Sequence, residues 1–515
     1  MMKMKKSTNR KFLTTAVMCS LLAMGSSSAW AAQQTTETVN YGTNVSTAAN
    51  PYSKIEVKTT DASANGIVVY DYDAGNLQVY MSAGGVINVS AAPTAKDISS
   101  NAYGIQNYHS AASQTDITLI VTGPTTLTMD STGSESTGGD NVSGNAFGMD
   151  LGASSRTSLE AVKATVTAVG GNITGMVSAG SNLYAAAYAS GVEASQANLA
   201  TGAASFTVTG QGGTVSGSAT SAEVRVYGVD ARGGTTAIGG DLALTITAAG
   251  GTVAGSGELA LAYADAYGVN IEKADDAHLG SLIVNGTISG SVMAQGGTAK
   301  RASIDSIDSA YAPNSYGGAY GITNNGATLQ ADGASLTVTA VGGTATNSFL
   351  KMTGAGADAG AYGINTSGPH TTSITGATKL TVQATGGTAT TKTVDADNPS
   401  AANANADAYG VKNDNTYDQT SSGVTASTLT LGSLAAEVAA TAGNAQDVDH
   451  PSENSMASVN AYGISNTTYA AVQDTNPTAT AKFASADLMV TATGGLRQMW
   501  VFLPMVSMIT LKVEP

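Results

Sequence analysis

Asn101-Ala102-Tyr103-Gly104-Ile105 is the stretch on which the reading of this chain turns, because the chain keeps returning to it. It comes back as Asn145-Ala146-Phe147-Gly148-Met149, Val226-Tyr227-Gly228-Val229, Ala266-Tyr267-Gly268-Val269 and Ala319-Tyr320-Gly321-Ile322. Further copies are Ala361-Tyr362-Gly363-Ile364, Ala408-Tyr409-Gly410-Val411 and Ala461-Tyr462-Gly463-Ile464. Asn65-Gly66-Ile67 and Ser190-Gly191-Val192 are worn copies without the aromatic. From Gly66 to Gly463 there are nine intervals, with a mean of about 44 residues. A fixed period of this size marks a stacked repeat protein.

A second motif falls between these copies: Phe206-Thr207-Val208, Leu244-Thr245-Ile246-Thr247-Ala248, Leu336-Thr337-Val338-Thr339-Ala340, Leu380-Thr381-Val382 and Leu488-Met489-Val490. It usually runs into a glycine pair such as Gly250-Gly251 or Gly342-Gly343. Alternation of Leu336, Val338 and Ala340 with Thr337 and Thr339 has period two, so this segment is expected to be a strand with one buried face. Ala402, Ala404, Ala406 and Ala408 alternate with Asn403, Asn405 and Asp407 in the same way. Alanine is the best helix former, but the Asn/Asp alternation again favours a strand.

Gly148 to Gly170 spans 22 residues and Gly170 to Gly191 spans 21, so each repeat divides into halves of about 22. That length suits one coil of three short strands and three turns. The expected fold is therefore all-β: a right-handed parallel β-helix of about ten repeats, two coils each. About 18 coils would stack to on the order of 90 Å, with long segments such as 390–406 and 443–458 projecting from the side. Separate β-sandwich domains are excluded, since each needs about 80–100 residues. The Ile, Val or Met after each glycine never turns polar, which suggests an internal tyrosine ladder. The other orientation, with Ala and Gly inside, would put the rings outside as a stacking surface for sugars.

The first residues read as an export signal. Residues 3–11 are basic, Phe12 to Met24 are largely apolar, and Ala29-Trp30-Ala31 is a small-x-small cleavage signature with the cut between Ala31 and Ala32. The apolar run is too short to span a membrane. Removing residues 1–31 takes away five positive charges and moves the net charge from −15 to −20. Such a surface repels nucleic acid and anionic lipid. The single cysteine, Cys19, lies within the signal, so the mature chain has no thiol or disulfide chemistry. Charged residues are only 11% and aromatics 5%, whereas Gly reaches 61 of 515, a mix that fits short strands and tight turns. The expected order is signal 1–31, leader or cap 32–60, repeat body 61–495 and an aberrant tail 496–515. The tail, from Leu496 through Trp500-Val501-Phe502-Leu503-Pro504, abandons the repeat composition and reads as out-of-frame translation or as an apolar partner segment.

Little in the chain looks catalytic. His109, His278, His370 and His450 are far apart in sequence and fall in loop-like stretches. No nucleophile elbow, phosphate-binding loop or metal-spaced His/Cys cluster is present. Asp71-Tyr72-Asp73-Ala74-Gly75-Asn76 has Ser82 at the twelfth position instead of an acid, which excludes an EF-hand. Asp395-Ala396-Asp397-Asn398 and Asp447-Val448-Asp449 read as solvated acidic loops. No catalytic residue, cofactor or metal site is assigned. A polysaccharide hydrolase using two unpatterned carboxylates would escape this reading.

The export signal, the cysteine-free acidic body and the Gly/Ala/Thr/Asn-rich repeats together resemble the passenger of a bacterial autotransporter of the adhesin type. The resemblance covers residues 1–495 and implies Sec export, a C-terminal outer-membrane β-barrel and display at the cell surface, outer membrane or outside the cell. It also implies roles in adhesion, self-association or biofilm. The alternating strands of a barrel are missing from this chain, so the translocator is expected but absent, and the product would be periplasmic if none is supplied. The expected function is non-enzymatic attachment to a surface glycan or protein, or to self. The alternatives are a β-helix polysaccharide lyase or hydrolase and a self-associating layer protein.

Overall fold

The computed structural model describes residues 33–494 apart from 41–45, 70–75, 109–116, 138–139, 176–182, 218–220, 256–259, 276, 302–311, 349–353, 393–400, 418–425, 449–454 and 471–477. The signal segment with Ala31 and Ala32, Asp71 and Asp73, His109, His450, the 395–398 acidic stretch and the 496–515 tail lie outside the described residues. What is described is all-β and forms a parallel β-helix: a 26-stranded sheet and a second sheet of eight strands, with every ladder in parallel register.

Each repeat is one coil, not two. Ile105 pairs with Met149, Met149 with Val192, and Val192 with Val229, so ladder partners lie a whole repeat apart. Between the copies of the motif, from Ile67 onward, the spacing runs from 37 residues at Val192↔Val229 to 53 at Val269↔Ile322. The two halves of about 22 residues are different sides of the same coil. In-register parallel pairing stacks like on like, so a tyrosine-glycine segment never lies over a glycine pair. The stack is consequently about half as high as two coils per repeat would make it.

A coil has three long sides and one short one. The first is the aromatic side, for example Ser100–Asn107 or Val142–Leu151. A second follows at Ser155–Leu159, and the third is the alternating strand, such as Val162–Val169 or Leu242–Ala249. After the glycine pair comes a short strand, such as Thr252–Gly255 or Thr344–Asn347, and these short strands form the eight-stranded sheet. Consecutive sides often run together, as in Tyr184–Thr201 and Thr328–Val341. Coil-length differences are absorbed in the connections and in one-residue bulges between the second and third sides, as at Val284/Thr287 and Ile374/Ala377.

The third side obeys its alternation: Leu336, Val338 and Ala340 are buried, while Thr337 is exposed and Thr339 half-buried. Its inward side chains meet those of the aromatic and second sides in one continuous core. A smaller core lies under the short strands, where Ala402 and Ala404 pack with Ala345, Ala357 and Ala389. The 402–408 stretch is strand at Ala402–Asn403 and again from Ala406, with all four alanines buried. Residues of the 32–60 leader join the main sheet, since Thr35 pairs with Ile55 and Val39 with Ile67.

The internal tyrosine ladder is corrected. Ala361, Gly363 and Ile364 face inward, and the Tyr362 ring lies half-buried on the outer face. Strand parity breaks at the glycine: Tyr362 pairs with Tyr409 and Ile364 with Val411, while the intervening glycines drop out of the ladder. Gly363 and Ile364 thus point inward in succession. A Cβ on Gly363 would lie 2.5 Å from the Gly410 carbonyl oxygen and 3.0 Å from both Leu380 and Val382. The third side already fills the space over the glycine, which leaves no room for a ring inside.

Candidate functional site

The outer face of the aromatic side carries the most organised chemistry in the described residues. Nine rings form one column: Tyr103, Phe147, Tyr188, Tyr227, Tyr267, Tyr320, Tyr362, Tyr409 and Tyr462. Successive centroids are 4.6–5.0 Å apart from Tyr227 through Tyr362, with interplanar angles of 2–7°. Aromatic pairs in this range add stabilisation beyond their buried area. Each ring covers its neighbours' faces, so the column offers edges and hydroxyls, and a sugar cannot stack on ring faces along its length. Burial raises the phenol pKa of Tyr188, Tyr227, Tyr267, Tyr320, Tyr362 and Tyr409, to about 12 at Tyr409, so these hydroxyls stay protonated.

The worn copy at Ser190-Gly191-Val192 does not interrupt the column. Ser190 pairs with Phe147 and Tyr227 in the ladder, but the ring between them belongs to Tyr188, two residues earlier on the same face. Reaching across tilts it by 39° and 41° against its neighbours. The Ser190 hydroxyl beneath is fully buried with no hydrogen-bond partner. Tyr316 crosses in a related way: its hydroxyl lies 3.3 Å from that of Tyr320, and its ring occupies the space a Cβ would need at Gly318 and Gly360.

Beside the column runs a polar row, Gln106, Asp150, Glu193, Asp230 and Asn270, paired rung by rung. Gln106 Nε2 donates to Asp150 at 3.0 Å, and Asn270 Nδ2 donates to Asp230 at 2.9 Å. Arg232 Nη2 donates to the fully buried Asp230 at 3.1 Å, with its Nε 3.9 Å from Glu272. Burial pushes Asp150, Glu193 and Asp230 above the usual carboxylate range. Glu193 rises to about 7, because Asp150 and Asp230 add their charges to its burial, against a hydrogen bond from Tyr188 and the charge of Arg232. On the other flank Asp265 is pushed up to about 6 by burial, partly offset by Arg225.

All sixteen structural positions singled out in the sequence, from Tyr103 and Gly104 to Tyr462 and Gly463, fall in this one zone, rings outside and glycines inside. The sequence reading missed Tyr188, the carboxylate row and Arg232. A signal for the row existed: the residues two after Gly104, Gly148, Gly191, Gly228 and Gly268 read Gln106, Asp150, Glu193, Asp230 and Asn270. Elsewhere, His278 Nδ1 lies 2.8 Å from Asp275 on the surface, and buried His370 lies 2.8 Å from the Gly368 carbonyl. A groove of about 620 Å³ follows the corner glycine pairs from Gly250 to Gly443, lined by Thr252, Gln295 and Thr298 among uncharged residues. Among the described residues no group of three or more His, Cys, Asp or Glu is arranged to hold a metal ion. Comparison of the chain with protein-family models, curated proteins and solved structures returned no match.

Proposed function

We propose that this chain is an exported, non-enzymatic adhesin-like repeat protein, acting at the cell surface or outside the cell in attachment or self-association. The observation that carries the reading is repetition on the outside of the fold. The same side-chain types recur at one position coil after coil, at intervals of about 4.8 Å. A surface of that kind suits many weak contacts made in parallel, whose combined strength far exceeds each one. Its partner is a surface glycan or protein, or a second copy. The acidic balance of −15 disfavours nucleic acid.

Beads carrying the purified full chain at graded density, passed over glycan-coated, protein-coated and chain-coated surfaces, test this directly. Retention should rise more steeply than density. Absence of retention on every surface at the highest density would refute it. Sequencing the exported product's N-terminus should find Ala32 first.

One observation favours the hydrolase alternative: carboxylates of raised proton affinity lie side by side on the outer face at Asp150, Glu193 and Asp230. Paired carboxylates in different protonation states are what glycoside hydrolysis requires. Release of reducing sugars from a polysaccharide panel, abolished by Glu193→Gln, would establish it in place of the adhesin reading.

A further inference from the structure

Asp150, Glu193 and Asp230 occupy one row in three consecutive coils. Parallel register sets neighbouring members one strand spacing apart, about 4.8 Å, where like charges directly opposite each other destabilise a ladder. The ends of the row are cushioned: Gln106 donates to Asp150, and Asn270 and Arg232 donate to Asp230. Arg232 is shared with Glu272. Glu193, in the middle, faces a carboxylate on the coil before and another on the coil after. On its own strand it has the Tyr188 hydroxyl, and from the next coil the charge of Arg232.

The same place is the least regular part of the aromatic column. Tyr188 stands in for the missing ring at tilts of 39° and 41°, over a buried Ser190 hydroxyl that has no partner. Three carboxylates, one shared guanidinium and an irregular ring therefore coincide at a single coil–coil junction.

We propose that this junction, between the strands Val142–Leu151, Tyr184–Thr201 and Ser221–Ile238, is a proton-operated joint in the stack, closed when Glu193 holds a proton and loosened when it gives the proton up. With the proton in place, Glu193 is a neutral rung between two carboxylates. Without it, three negative charges stand in a row, and the contact between the two coil interfaces weakens while the rest of the stack is unchanged. The joint stands independently of the attachment reading, because it concerns cohesion of the body and not its partner.

The raised affinity fixes the direction. Glu193 in the folded chain sits at about 7, above the ordinary glutamate value of 4.5, so the folded state holds more protons than the unfolded one between those values. The junction is strongest at acid pH, weakens as pH rises through that interval, and levels off above it.

Hydrogen exchange of the full chain at several pH values, corrected for intrinsic rates, reads the junction against the strands Thr328–Val341 and Ala426–Thr441, which carry no carboxylate of raised proton affinity, as internal reference. Relative to them, opening of 142–151, 184–201 and 221–238 should increase by up to about tenfold per pH unit as one proton is lost. Glu193→Gln should remove that dependence and keep protection high throughout. Equal pH dependence at junction and reference, or in wild type and variant, would overturn the proposal. Should the variant not fold, infrared titration of the wild-type chain with only its glutamate carboxyls isotope-labelled decides: one titrating near neutrality supports the joint, and none above the ordinary glutamate range refutes it.

Discussion

A single Cβ decides whether a coil can close. Gly363 has no space for one, since it would lie 2.5 Å from the main-chain oxygen of Gly410, and a backbone atom in a parallel ladder cannot move aside alone. Gly363→Ala should cost about 3 kcal/mol, at the upper end of overpacking penalties, read as a shift of the denaturant midpoint. A cost near zero would mean that the coils slide freely. The neighbouring ring is a milder case. Tyr362 stacks at 5.0 Å on Tyr320 and 5.2 Å on Tyr409, with the Lys412 ammonium 5.8 Å from its centroid. Tyr362→Ala should lose about 1–3 kcal/mol from two such stacks, while Tyr362→Phe keeps the column and should be close to neutral. If the two variants are equally destabilised, the hydroxyl is what matters, not the stack. His370 sets a pH limit of its own. It is buried, and burial lowers its proton affinity below the ordinary histidine value of 6.5. Below that value the unfolded chain takes up a proton that the folded chain resists, so stability falls with acidification. His370→Asn should lose less stability than wild type between pH 7.5 and pH 5, opposite in sense to the contribution of Glu193.

Elements were legible where a periodicity was clean. Alternation at Leu336-Thr337-Val338-Thr339-Ala340 gave both the strand and its buried face, since period two has one physical meaning on a half-buried sheet. The same rule applied across Tyr-Gly-Ile gave the wrong face. Glycine breaks parity there, and nothing in the residue types marks the break. Tyr188 was invisible for a related reason: it fills a gap that belongs to Ser190 only through the ladder to the next coil. Coil length was misjudged because the chain contains two near-equal spacings of about 22 residues, and only ladder partners show that they lie on different sides. The distinction is testable by deletion. Ile322 pairs with Ile364, so removing residues 322–363 joins Gly321 to Ile364 and erases 42 residues, one coil, with every remaining side in place. Removing 343–363 alone would instead join a corner to the middle of the aromatic side. The first deletion should fold with an unchanged β-type circular dichroism spectrum and a slightly lower melting point; the second should aggregate or unfold. A stable, soluble product from the half-length deletion would restore two coils per repeat.

In the molecule as a whole, each coil is stabilised by the coils on either side, so cohesion is nearly a sum of neighbour terms and the ends are the weak points. The two described ends differ. Near the first, strand Tyr52–Thr59 carries a charged trio, with Glu56 bridged to Lys54 at 2.6 Å and Lys58 at 3.0 Å, and the turn Thr47–Asn50 folds back beside it. Charges of this kind blunt a sheet edge. At the other end, among the described residues, Thr478–Thr493 pairs in the ladder only with Ala426–Thr441; its inward side chains, such as Phe483 and Val490, are only half-buried, and Leu488 and Met489 are 37% and 56% exposed. Leu336, the same ladder position deep in the stack, is 3% exposed. Local opening is easiest where few apolar contacts hold the backbone. Amides of Thr478–Thr493 should therefore exchange at least about tenfold faster than those of Thr328–Val341, with protection rising coil by coil inward. Uniform protection from end to end would show that the stack opens as a single unit, and that neighbour-by-neighbour cohesion is the wrong description of this body.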